Sequence, residues 1–103
     1  MTEPSGGAGY VVYVDDNFHY QDPSYRVRDR AFDDCRSAIG RCQAIVDSSL
    51  RHLHRAGMSA DELLRSYQSF GEDPWIATPD ATCRFSAWDY AARRCHEICA
   101  PAV

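Results

Sequence analysis

Residues 10–15, Tyr-Val-Val-Tyr-Val-Asp, are β-branched and aromatic and divide into two faces, Tyr10, Val12 and Val14 against Val11, Tyr13 and Asp15. That two-residue period predicts a strand. A second alternating run, residues 25–31, sets Tyr25, Val27 and Ala31 against Arg26, Arg28 and Arg30. The two runs are read as an antiparallel hairpin joined by a long polar loop over residues 16–24, longer than most hairpin connections. The period then changes: apolar positions 35, 38, 39, 42, 45, 46, 50 and 53 follow helical spacing. Asp33 or Asp34 is the expected cap, and Gly57 the expected stop near residue 56. Ser59 and Glu62 spell a capping box, with Met58 and Leu63 as its hydrophobic staple. They predict a second helix over 60–70 that buries Leu63, Leu64, Tyr67 and Phe70. Beyond Gly71, Pro74 imposes an extended path, so residues 75–77 are read as a short third strand. A third helix is predicted from Ser86 to Cys99, with Trp88, Ala91, Cys95, Ile98 and Cys99 as its apolar stripe.

The predicted fold is α+β in the order β-β-α-α-β-α, three helices packed on one face of a small antiparallel sheet. Residues 1–8 are read as an N-terminal tail, 9–100 as a single globular domain and 101–103 as a C-terminal tail. Acid-to-arginine spacings of four residues, Asp47 to Arg51, Asp61 to Arg65 and Asp89 to Arg93, suit helix-surface ion pairs.

At 103 residues the chain is long enough for one core without staples. There is no run of ~20 apolar residues and no basic-then-apolar N-terminal order, so the expectation is a cytoplasmic protein without a membrane partner. Five cysteines, an odd number, fit reduced thiols better than a disulfide framework. Cys35, Cys42, Cys95 and Cys99 fall within apolar stripes and are read as core, since structural zinc sites draw cysteines from turns at closer spacing. The net charge of −4 makes nucleic acid an unfavoured partner. The chain contains no lysine, which removes Schiff-base chemistry, the P-loop and the kinase strand lysine.

Two blocks mix aromatics with carboxylates where periodic structure breaks down, Tyr13 to Tyr20 and Phe70 to Ile76. Such positions carry binding more often than packing. Asp15, Asp16, Asn17, Phe18, His19, Tyr20, Glu72, Asp73 and Trp75 are therefore the candidate partner-binding residues. The expected arrangement is an acidic, aromatic-rimmed patch at one end of the sheet, suited to a protein partner with a basic contact surface. The bland alternative is that the aromatics close the core and the carboxylates cap turns. A second reading is an enzyme or metal-dependent domain centred on Asp15, Asp16 and His19. The calcium-loop template fails there, because histidine stands at 19, no glycine follows and no glutamate occupies the twelfth position. A third reading is a nucleic-acid contact through Arg26, Arg28 and Arg30. No catalytic residue, metal ligand set or cofactor is assigned. The leading expectation is a small non-catalytic binding or regulatory module.

Three segments, Tyr13-Val14-Asp15-Asp16-Asn17-Phe18-His19-Tyr20, Phe70-Gly71-Glu72-Asp73-Pro74-Trp75-Ile76 and Phe85-Ser86-Ala87-Trp88-Asp89-Tyr90-Ala91-Ala92-Arg93-Arg94-Cys95, resemble a family of small bacterial proteins of unknown function. The spacing of the segments extends the resemblance over about residues 10–99. Trp75 stands where the family pattern has phenylalanine. The resemblance implies no activity, cofactor or partner.

Overall fold

The computed structural model describes residues 9–20 and 22–100. Strands β1 (Tyr10–Asp16) and β2 (Val27–Phe32) come first, then helices α1 (Cys35–Leu53) and α2 (Ala60–Phe70), strand β3 (Glu72–Ala77) and helix α3 (Ala87–Ile98). The strands form one antiparallel sheet in the order β2-β1-β3. The architecture is the expected α+β order. The tails read at 1–8 and 101–103 lie outside the described residues.

Val12 is the pivot of the sheet's inner face. It is fully buried with Ala38, Cys42 and Ile45 of α1, and Tyr10, Val14, Phe32 and Ile76 pack at the margin. A second cluster, Val46, Leu50, Leu63, Tyr67, Ala87, Ala91 and Cys95, joins the three helices to one another. Phe85 packs against both clusters. α1 spans the two because its stripe is wide: Cys42 and Ile45 face the sheet while Val46 and Leu50 face α2 and α3. Each large aliphatic side chain so buried contributes about 1.5–3 kcal/mol. Polar ties fix the layers. Arg41 on α1 makes two bonds to Asp29 on β2, at 2.8 and 2.9 Å. Asp47 on α1 accepts from Arg94 Nε at 2.9 Å and from the Tyr90 hydroxyl at 3.0 Å, both on α3.

Several expectations need correction. The cysteines are not all reduced: Cys35 is bonded to Cys83, with an S–S distance of 2.04 Å across 48 residues of sequence. Proximity of that kind is created only by folding α1 beside the segment that leads into α3. Cys42 and Cys95 are buried as expected, but in different clusters, so four thiols do not converge. Opposite Val12 and Tyr13 of β1, which pair with Arg30 and Arg28, the register of β2 slips by one residue at Asp29. The irregularity turns Asp29 towards Arg41 and brings Phe32 rather than Ala31 to the inner face, overriding the simple alternation. β3 begins at Glu72 rather than residue 75, because as an edge strand it tolerates Pro74. α1 ends at Leu53, and Gly57 instead takes a φ of 82° in the turn before α2. Asp47, expected to pair along its own helix, reaches across to α3. Phe70, assigned to the core, is 59% exposed.

Candidate functional site

The antiparallel pairing of β1 with β3 sets Asp15 opposite Asp73 and Asp16 opposite Glu72. Both aromatic-acidic blocks therefore lie at one end of the sheet. Asn17 locks them together. Its backbone N–H donates to the Gly71 carbonyl at 3.1 Å, its side-chain amide donates to the Tyr67 carbonyl at 2.9 Å, and its carbonyl accepts from Trp88 Nε1 at 3.3 Å. Asn17 is buried, so the sequence expectation that it contacts a partner is corrected: it holds the surface from beneath. Three segments distant in sequence, through Asn17 itself, Tyr67 with Gly71, and Trp88, meet at this residue. Gly71 permits the close approach. A Cβ there would lie 2.3 Å from Tyr67 Cδ1, and the fully buried Tyr67 donates its hydroxyl to the Glu72 carbonyl at 2.6 Å.

The segment from β1 to β2 is built from two short 3-10 turns, Asn17–His19 and Pro23–Tyr25. Asp16 and Asp22 start them by accepting from the amides of Phe18 and Ser24, at 2.9 and 3.0 Å. These turns display rather than bury their aromatics. Phe18 and Tyr20 are each 63% exposed. Phe18 stacks on Phe70 with centroids 5.7 Å apart, His19 stacks on Tyr25 at 3.6 Å, and Tyr20 leans over Trp88 at 6.1 Å. Beside Phe70 and Tyr25 opens a cleft of about 500 Å³ with Val14, Val27 and Ile45 in its apolar walls. Asp15, Asp16, Asp29, Glu72 and Arg41 complete its lining.

Trp75 does not join this cleft. Neighbouring strand residues face opposite ways, and Pro74 takes the inner side. Trp75 stacks on Tyr13 on the outer face, centroids 5.1 Å apart, with the Arg26 guanidinium 5.0 Å from its ring. The expected single rim is thus two separate surfaces at the sheet end, with Phe18 and Phe70 beside one and Tyr20, Trp75 and Trp88 at the other.

Much of the acidity is internally matched. Asp15 accepts two bonds from Arg26, at 2.7 and 3.1 Å. That pairing holds its carboxyl below the ordinary value. Asp16 Oδ2 lies 2.9 Å from His19 Nδ1, and this bond chiefly lowers the Asp16 carboxyl. Asp29 is held low by Arg41. Glu72 has no side-chain partner among the described residues. Asp73 behaves oppositely: burial, and then the Asp15 charge, push its carboxyl up to about 6. Of the three arginines of the hairpin, Arg26 is taken by Asp15 and Arg30 lies 3.6 Å from Asp29. Arg28 alone is exposed without an ion-pair partner among the described residues.

Among the described residues no group of three or more His, Cys, Asp or Glu side chains is placed to hold a metal ion. Phe70, Tyr25, Val27 and Trp88 are site residues that periodicity placed elsewhere. Position at an element's end was the available signal, since a terminal turn overhangs the core. Comparisons with protein-family models, curated proteins and solved structures found no match.

Proposed function

We propose that this chain is a small non-catalytic binding module whose working surface is the cleft between the β1–β2 connection and the end of α2, taking a protein segment with apolar and basic side chains. The observation that carries the reading is the stacked, solvent-exposed pair Phe18 and Phe70 beside a cleft with apolar and acidic walls. Aromatics displayed together are the usual anchors of interfaces. The lining supplies four carboxylates against Arg41. Even with Arg26 counted, the balance is negative and favours a basic partner.

The test is affinity capture from an extract of the source cell with immobilised wild type, Phe18→Ala/Phe70→Ala and Tyr20→Ala, followed by titration of the purified captured protein. Loss of the captured protein by the double variant, with unchanged circular dichroism, supports the reading. Equal retention by all three places recognition elsewhere. A second reading, acid/base chemistry, has the Asp16–His19 contact in its favour. A turnover of the purified protein abolished by His19→Gln would replace the binding reading with it.

No helix among the described residues is long and apolar enough to cross a membrane. The Cys35–Cys83 bond weighs against the cytoplasmic placement expected from the sequence and favours an oxidising setting. Acid-quenched extraction and thiol labelling decide it: free Cys35 and Cys83 in the cell would restore the cytoplasmic reading.

A further inference from the structure

At the β3 edge of the sheet end, Tyr20, Trp75 and Trp88 surround an open pocket of about 320 Å³ that Asp73 also lines. The pocket is separate from the cleft, so a role for it does not depend on the cleft being a binding surface. Trp88 is held in place by its N–H bond to buried Asn17. The Tyr20 ring is tilted 40° to it, with the centroids 6.1 Å apart. Trp75 adds a third ring to the wall, with Tyr13 stacked on it at 5.1 Å and the Arg26 guanidinium 5.0 Å from its centroid. Asp73 has no hydrogen-bond or ion-pair partner among the described residues. The nearest acid, Asp15, has its charge matched by Arg26.

We propose that this pocket is a binding site for an alkylated ammonium group, such as the trimethylammonium head of choline or of a methylated lysine. A cation between aromatic faces is attracted by the ring quadrupoles, worth about 0.5–2 kcal/mol depending on desolvation. The same cation would give the partly desolvated Asp73 carboxylate the counter-charge that it lacks. Pro74, Phe85, Ser86 and Ala87 make up the remaining lining. A trimethylammonium has no N–H groups to satisfy, so ring faces and the Asp73 charge are the contacts that it needs. The position of Asp73 explains why burial pushes its carboxyl up, and occupancy should bring it down.

The test is an NMR titration that follows the two indole N–H signals and the Asp73 carboxyl. The probes are choline, a trimethyl-lysine peptide and the uncharged isostere 3,3-dimethylbutanol. We expect choline and the peptide to shift both indoles, the neutral isostere to bind at least about tenfold more weakly, and Tyr20→Ala and Asp73→Asn each to weaken binding about tenfold. Tyr20 is largely exposed, so its removal leaves the core intact. Tighter binding of choline than of the peptide assigns the site to a free small molecule, and the reverse to a modified protein. Both outcomes keep the ammonium chemistry. Equal affinity for the neutral isostere, no response of either indole to millimolar choline, or unchanged binding by Asp73→Asn would overturn the proposal.

Discussion

Single residues decide whether this end of the molecule exists. Gly71 is required for its lack of a side chain, not for an unusual backbone angle, because Tyr67 occupies the space a Cβ would take. Tyr67 is fully buried and bonded through its hydroxyl, so it has nowhere to retreat. Gly71→Ala is expected to cost roughly 1–3 kcal/mol, as overpacking does, read as a lower urea midpoint. Asp73 gives a pH dependence of defined sign. Its folded carboxyl, near 6, lies above the ordinary 3.8, so the native chain binds this proton more tightly than the unfolded chain. The contribution is fully present below about pH 4 and is lost as the pH rises through 6. Asp73→Asn should be more stable than wild type at pH 7, by roughly 1–2 kcal/mol once solvent screening of a half-exposed group is allowed for. That advantage should vanish below about pH 4 in parallel urea titrations.

Elements are bounded by short polar signals that act locally. Asp34, Ser59 and Ser86 each accept a backbone amide of the first turn they precede, from Ser37, Glu62 and Asp89. The Glu62 carboxylate in turn accepts from the Ser59 amide at 2.8 Å. Ser59→Ala should therefore cost about 1 kcal/mol and fray the start of α2 without disturbing the sheet, measurable as faster amide exchange at residues 60–63. The strands are less self-sufficient. β2 is a mostly exposed edge, and its inward Asp29 depends on Arg41 of α1. Arg41→Ala would leave the Asp29 carboxylate with only the longer 3.6 Å contact to exposed Arg30, so β2 should lose exchange protection before β1 or β3 does.

For the molecule as a whole, the disulfide is the largest single constraint. It closes a loop of 48 residues, for which the loss of chain entropy in the unfolded state corresponds to about 4 kcal/mol. Reduction, or Cys35→Ser with Cys83→Ser, should lower stability by up to that amount while leaving the helix content in place. Thiol labelling of the native, unreduced protein checks the rest. Burial pushes the Cys42 and Cys95 thiols up to about 12 and about 11. Cys99, less buried, should react first, and rapid modification of Cys42 or Cys95 would contradict their placement in the two core clusters.

Whatever depends on neighbours within about four residues was legible in the chain: the helix caps, the capping box, the stripe from Ala38 to Leu50, the alternation of β1 and the order of elements. These follow from backbone sterics, local hydrogen bonds and the fixed periods of helix and strand. The nomination of Asp15 to Tyr20 and Glu72 to Trp75 was also local, resting on aromatics and acids at element ends. Tertiary structure alone decided what those residues do. Burial made Asn17 a lock, strand parity sent Trp75 to the outer face, and the last turn of α2 overhung the core and left Phe70 in water. It decided that Arg26 and Arg41 would pair with Asp15 and Asp29, that His19 would bond to Asp16, and that Cys35 would meet Cys83 rather than join the core. The common physical reason is range. Pairing, burial and charge matching depend on groups separated by tens of residues, and only the packed chain brings them within a few ångströms of one another.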